Sequence, residues 1–212
     1  MKKRSRQRNP AAVLSGIDYI ERSADGTRLA INLDRLPAPD RVYVASAFRV
    51  DEIVPSSGTF GLSFGQLISP RRLASLVTVQ MESSAVVDFC RSCTNGFLTS
   101  LERLSTGTGE GLRIHDYEVA AIELSRVWPS KATLVRGCVS LNGAQIDFFE
   151  LSPRNIVKIH RDEDPDPVPG VITIFCSARL LLELVKECMR LVKFEEPPSD
   201  TVDTTCPAEE QR

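Results

Sequence analysis

Cys90-Arg91-Ser92-Cys93 is the spacing in this chain that most invites chemistry. A C-x-x-C at a helix N-terminus beside a βαβ unit runs dithiol redox, and two such pairs together hold zinc. Here the pair falls a turn or two inside a predicted helix with both sulfurs on its apolar face, and no second C-x-x-C exists, so the reading is buried packing. Histidine offers two candidates, His115 and His160. His115 stands beside Asp116, but adjacent side chains on a strand point to opposite faces and form no catalytic dyad. His160 precedes Arg161-Asp162-Glu163-Asp164-Pro165-Asp166-Pro167, which lacks the sixth-position glycine and terminal glutamate of a calcium loop and reads as a solvated, proline-broken insertion.

The remaining candidates are weaker as chemistry. Gly107-Thr108-Gly109-Glu110-Gly111 has no Lys-Ser/Thr after it and no strand feeding it, so it is a linker rather than a phosphate cradle. Nothing locates a base for Ser69 or Ser152. Ser69-Pro70-Arg71 and Ser152-Pro153-Arg154 read as two strand-to-strand corners that would place Arg71 and Arg154 equivalently, as candidate contacts to an acidic partner. The basic start, with Lys2, Lys3, Arg4, Arg6 and Arg8, is a second candidate contact region, able to attract nucleic acid weakly through phosphates but without interleaved aromatics for stacking. No catalytic, cofactor-binding or metal-binding residue is assigned, no cofactor is expected, and the chain reads as no enzyme. A thiol-dependent enzyme acting through Cys90 or Cys93 is the enzymatic alternative.

Composition sets the frame for these groups. The chain has 212 residues, 42% hydrophobic and 25% charged, and 26 basic against 28 acidic side chains leave a net charge of −2. That is ordinary globular composition, with no global field demanding nucleic acid or an anionic membrane. No apolar stretch approaches the roughly 18–20 residues of a membrane span, and Asn9-Pro10-Ala11-Ala12-Val13-Leu14 is too short a run for a signal peptide, so the expected location is cytoplasmic. The six cysteines, Cys90, Cys93, Cys138, Cys176, Cys188 and Cys206, are then expected as reduced thiols.

Self-comparison reveals four blocks recurring in order. Ile17-Asp18-Tyr19 is answered by His115-Asp116-Tyr117, Ala30-Ile31-Asn32-Leu33-Asp34-Arg35-Leu36 by Ala121-Ile122-Glu123-Leu124-Ser125-Arg126-Val127, and Ile68-Ser69-Pro70-Arg71 by Leu151-Ser152-Pro153-Arg154. The longest block runs without a gap from Val77-Thr78-Val79 to Cys93 and from Ile172-Thr173-Ile174 to Cys188. In the first copy Leu29–Leu33, Val42–Val50, Thr59–Gly65 and Leu76–Met81 read as strands, with an Asp25-Gly26 hairpin turn ahead of the first of these. A helix follows, capped by Ser83 or Ser84, with Val86, Phe89, Cys90, Cys93, Phe97, Leu101 and Leu104 on one face. Ser177 caps its counterpart, whose face is Leu180, Leu181, Leu184, Val185, Cys188, Leu191 and Val192.

The expected fold is therefore α+β: two divergent repeats, each a mainly antiparallel sheet closed by one C-terminal amphipathic helix, packed as a pseudo-dimer. The boundaries are a basic flexible arm at 1–12, unit 1 at 13–104 with its helix at about 83–103, and a glycine-rich linker at 105–112. Unit 2 follows at 113–194 with its helix at about 177–193, then an acidic disordered tail at 195–212.

The run from Val42-Tyr43-Val44 through Phe60-Gly61-Leu62-Ser63-Phe64-Gly65 to Val77-Thr78-Val79 and a helix resembles a family of short bacterial β-β-β-α proteins of unassigned function. The strand order with a terminal helix is also loosely similar to SecB-like export chaperones. Both resemblances imply a non-enzymatic module. The functional expectation is a bacterial, cytoplasmic protein-binding or assembly module whose partner is another protein or a second copy of itself, in an oligomer. A chaperone holding unfolded or exported chains is the alternative.

Overall fold

Two three-strand antiparallel meanders, each running directly into a helix, dominate this mixed α+β fold. The computed structural model describes residues 19–22, 29–54, 58–69, 72–96, 112–113, 118–119, 129–140 and 143–192. Strands β1 (Ile20–Arg22) and β2 (Leu29–Ile31) pair antiparallel, and a 3-10 turn at Leu33–Arg35 follows, with the Asn32 side chain accepting from the Asp34 amide. Next come β3 (Val42–Val44), β4 (Ala47–Val54), β5 (Thr59–Ser69), β6 (Arg72–Glu82) and helix α1 (Ser83–Gly96). Three short strands, β7 (Leu112–Arg113), β8 (Glu118–Val119) and β9 (Ser130–Lys131), lie between the meanders. The second meander is β10 (Leu134–Ser140), β11 (Gly143–Phe149) and β12 (Gly170–Cys176), with α2 (Pro153–His160) inserted before β12 and α3 (Ala178–Leu191) after it.

The larger sheet has the order β7-β4-β5-β6-β8, with β9 also on β6; the smaller has the order β10-β11-β12-β3. Helix α1 leaves the larger sheet and packs against β10 of the smaller, while α3 leaves the smaller and packs against β4 of the larger. One apolar core results, shared by both sheets and both helices, with Phe48, Phe64 and Phe89 beside Ile146, Phe148, Ile174 and Leu184. A satellite cluster of Tyr19, Leu36, Phe149, Leu151, Ile159 and Val168 fastens the β1–β2 hairpin and α2.

Sequence dictates the helices directly. Val86, Phe89, Cys90 and Cys93 step by three and four and are all buried in α1; Leu181, Leu184, Val185 and Cys188 occupy the matching positions of α3 and are buried too. Ser177 accepts from the Leu180 amide as the cap of α3. At about 1.5–3 kcal/mol per buried Leu or Val, this face rather than helix propensity holds α3 in place. Beyond Gly96 the expected continuation to about 103 lies outside the described residues, as do the Asp25-Gly26 turn, the basic arm, the tail and the linker except Leu112, which pairs in β7.

Three expectations are corrected. The stretch Val42–Val50 is not one strand: the Ala45 amide bonds the Phe175 carbonyl of the smaller sheet, whereas the next amide, Ser46, bonds the Gly65 carbonyl of the larger. The chain thus changes sheets at one peptide, and the Ser46 hydroxyl secures the step by accepting from the Leu67 amide. Leu29–Leu33 likewise belongs to the small β1–β2 sheet and breaks into the 3-10 turn. Finally, Ser152-Pro153-Arg154 forms no strand-to-strand corner. Ser152 accepts from the Asn155 amide as an N-cap, Pro153 occupies the first turn where no amide hydrogen is needed, and α2 begins there.

Among the described residues, no helix is long and apolar enough to cross a membrane.

Candidate functional site

Of the residues singled out as partner contacts, Lys2, Lys3, Arg4, Arg6, Arg8 and Arg71 lie outside the described residues, as does His115. Arg154 sits in the first turn of α2 with its side chain 77% exposed, its Nε 3.6 Å from Asp166 Oδ2. Asp166 is a hub rather than part of a solvated loop. Its carboxylate accepts from Lys158 Nζ at 2.7 Å, its amide donates to Asn155 Oδ1, and its carbonyl accepts from Asn155 Nδ2 and the Tyr19 hydroxyl. The Lys158 ammonium, then Arg154, holds the Asp166 carboxyl below the usual carboxylate value. Pro165 and Val168 are buried beneath it, so the acidic insertion is docked in its second half. His160 is exposed at the end of α2. Among the described residues no group of three or more His, Cys, Asp or Glu side chains is placed to hold a metal ion.

A buried polar network crosses the outer face of the smaller sheet. Asp147 on β11 is fully buried, and Arg136 on β10 reaches its Oδ2 with Nη2 at 2.6 Å and Nε at 3.0 Å. Thr173 on β12 donates to Asp147 Oδ1 at 2.7 Å, and Gln145 Nε2 donates to the same carboxylate. The Arg136 guanidinium lies over the Phe149 ring and donates to the Leu33 and Leu36 carbonyls at the end of the 3-10 turn. Every lone pair of a buried carboxylate left unmatched is costly, so this set is a lock that pins the strap of residues 33–39 to the sheet.

Beyond the strap the same face is open. Register places Val42 beside Thr173 and Val44 beside Phe175, with Gln145 and Cys138 continuing the second row. Val42 is 53% exposed, Val44 60% and Phe175 42%, and Cys138 is exposed. Next to Phe175 lies a shallow depression of about 350 Å³ lined also by Cys138, Ser140, Gly143 and Gln145. Among the described residues, strand β3 is the last in its sheet. Arg41 and Ala45 direct their backbone groups at β12, so strand alternation turns those of Val42 and Val44 outward, to the free edge.

The thiols divide by place. Cys90, Cys93 and Cys188 are fully buried where α1 meets α3, Cys176 is buried at the end of β12, and none of the five described is in a disulfide. Burial pushes the Cys176 thiol up to about 12 and raises Cys93 further. Comparison of the chain with protein-family models, with curated proteins and with solved structures finds no match.

Chemically, the open face can add a strand and receive apolar side chains. Read as one strand, Val42–Val50 gives no sign that its first three residues form this edge. The available signal was Pro37-Ala38-Pro39 just before the valines, which bounds a short edge strand.

Proposed function

We propose that this chain is a non-enzymatic protein-binding or assembly module, built from an internal β-β-β-α duplication whose two copies close on each other as a pseudo-dimer. Several matched placements support the duplication. Phe64 faces Val77 and Phe148 faces Ile172, and a β-bulge follows each phenylalanine. On the outer side of each meander the first strand brings an arginine to the row: Arg49 opposite Ser63, which bonds Thr78, and Arg136 opposite Asp147, which bonds Thr173. Each closing helix then packs on the other meander's first strand, as in two subunits that exchange helices.

The observation that carries the binding reading is the free β3 edge with Val42, Val44 and neighbouring Phe175 exposed. Natural proteins usually blunt such edges with charge, and here the outward side chains are valines. The partner is an extended segment of another polypeptide, a second copy of this chain included, added as a strand beside β3. The compartment proposed is the reducing cytoplasm, in keeping with the free thiols.

Light scattering of the full chain on size exclusion over a range of concentrations, beside Val42→Lys/Val44→Lys, tests the reading. A defined oligomer that the double variant reduces to monomer supports it. An oligomer that the variant leaves intact overturns the assignment to this edge, and a monomer that pulls no partner from lysate through it overturns the module reading. Suppression of aggregation of an unfolded model protein, lost in the same variant, moves the reading to a SecB-like holdase.

A further inference from the structure

The crossing of α1 and α3 gathers three thiols in a place where packing alone asks only for small apolar groups. Cys90 and Cys93 lie on the inward face of α1, and Cys188 lies on the inward face of α3; all three have no solvent exposure. Cys90 Sγ approaches the Val185 carbonyl at 4.0 Å, one helical turn before Cys188, so its sulfur points at the turn that ends with the Cys188 thiol. Cys93 and Cys188 hold matching positions in the two helices, whereas the position matching Cys90 is Val185. The third sulfur thus breaks the match between the helices, and it is the one aimed across the interface.

We propose that Cys90 and Cys188 are an oxidation site of this protein, a dithiol pair that peroxide converts to a disulfide joining α1 to α3. The asymmetry of the pair supplies the order of events. The neighbouring Cys188 thiol lowers the Cys90 pKa, while Cys90 and then burial hold Cys188 well above the ordinary thiol value. Cys90 is therefore the sulfur that attacks. Its thiolate forms an S–O bond with one peroxide oxygen as the O–O bond breaks, and the departing hydroxide takes the proton shed by the thiol to leave as water. Cys188 then attacks the resulting sulfenic sulfur; the S–S bond forms, the S–O bond breaks, and hydroxide leaves with the Cys188 proton as a second water. Peroxide gains two electrons and the two thiols lose them. Cys93, on the same helix as Cys90 with its thiol protonated through burial, takes no part.

Burial makes the oxidant's size decisive. Hydrogen peroxide is close to water in size and enters through small fluctuations of the crossing, whereas a bulky alkylating reagent waits for unfolding. The product bridges the two meander–helix units, so it closes a long loop in the unfolded chain and shifts the denaturation midpoint upward.

The test uses the full chain, treated with hydrogen peroxide, then unfolded in N-ethylmaleimide, digested without reductant and analysed by mass spectrometry. A linked pair of peptides containing Cys90 and Cys188 is expected, with a raised urea midpoint that dithiothreitol reverses. Cys93→Ser keeps the link, and Cys188→Ser and Cys90→Ser each abolish it while keeping the native circular dichroism spectrum. Full alkylation of Cys90 and Cys188 after peroxide treatment, a dominant Cys90–Cys93 link, or a link surviving in Cys188→Ser overturns the proposal. None of these readouts depends on the oligomeric state, so the outcome is independent of the binding reading above.

Discussion

Phe64 and Phe148 meet edge to face across the two sheets, with ring centroids 5.9 Å apart and planes inclined at 65°. Each is fully buried on the central strand of its meander, and each stands immediately before a β-bulge. In each pairing the extra residue lies on the third strand, Leu76 on β6 and Val171 on β12, so it is β6 and β12 that bend beside the two rings. Phe64→Ala or Phe148→Ala alone is expected to destabilise the chain by about 3–5 kcal/mol through cavity formation. In a double-mutant cycle by urea denaturation the pair is expected to show a coupling of about 0.5–1.5 kcal/mol, and strict additivity would show that the rings do not act together.

Removing the guanidinium at Arg136 leaves the fully buried Asp147 without its cation. Arg136→Met is expected to lose about 3–5 kcal/mol, and Arg136→Met with Asp147→Leu much less than the sum of the two single changes. The strap should report the break locally. Hydrogen exchange of the Leu36 amide, which bonds the Leu33 carbonyl, is expected to speed up in Arg136→Met before the core amides of β11 respond.

The cap of α3 gives a milder, graded test. Ser177→Ala removes the acceptor of the Leu180 amide and is expected to lower stability by about 1 kcal/mol, whereas Ser177→Gly is expected to cost only a few tenths. Equal losses in the two variants, measured by thermal denaturation, would place the effect in something other than the cap.

Asp166 sets an acid-side dependence. Its folded pKa lies below the ordinary value of 3.8, chiefly through the Lys158 hydrogen bond, so it binds fewer protons folded than unfolded near that value. Its contribution is therefore fully present above the unfolded value and is lost as pH falls through the folded one. The expected outcome is that acid loosens the contact between Lys158 of α2 and the Asp166 carboxylate below about pH 4, and that Lys158→Met moves the Asp166 titration, followed by carbon-13 NMR, back up toward its ordinary range.

The parts legible from residue order are those where one face of one element decides the outcome. The buried faces of α1 and α3, the cap at Ser177 and the core-facing positions of β6 and β12 follow from spacing alone. The change of sheet between Ala45 and Ser46 does not, because it turns on carbonyls at Phe175 and Gly65, distant in sequence, while the apolar pattern runs on unbroken. Helix α2 left a readable trace: Leu151 before the cap Ser152 and Ile156 in the second turn line one groove as a hydrophobic staple, yet a Ser-Pro between strands also fits a turn. Nothing in residue order marks Arg136 and Asp147 as a buried pair, because it is the strap laid over them that makes them interior. The valines of β3 depart in the opposite sense, being apolar residues that stand exposed.

Strand β3 also decides how the chain comes apart. It precedes the first meander in the chain but completes the sheet of the second, its parallel ladder running from Val42 against Thr173 to Val44 against Phe175. A nick between the units would therefore leave the two pieces clasped, each still holding part of the other. Expressed alone, the second piece would present the bare flank of β12 to solvent, and supplying the first piece in trans would restore it, so the natural assay of this architecture is fragment complementation.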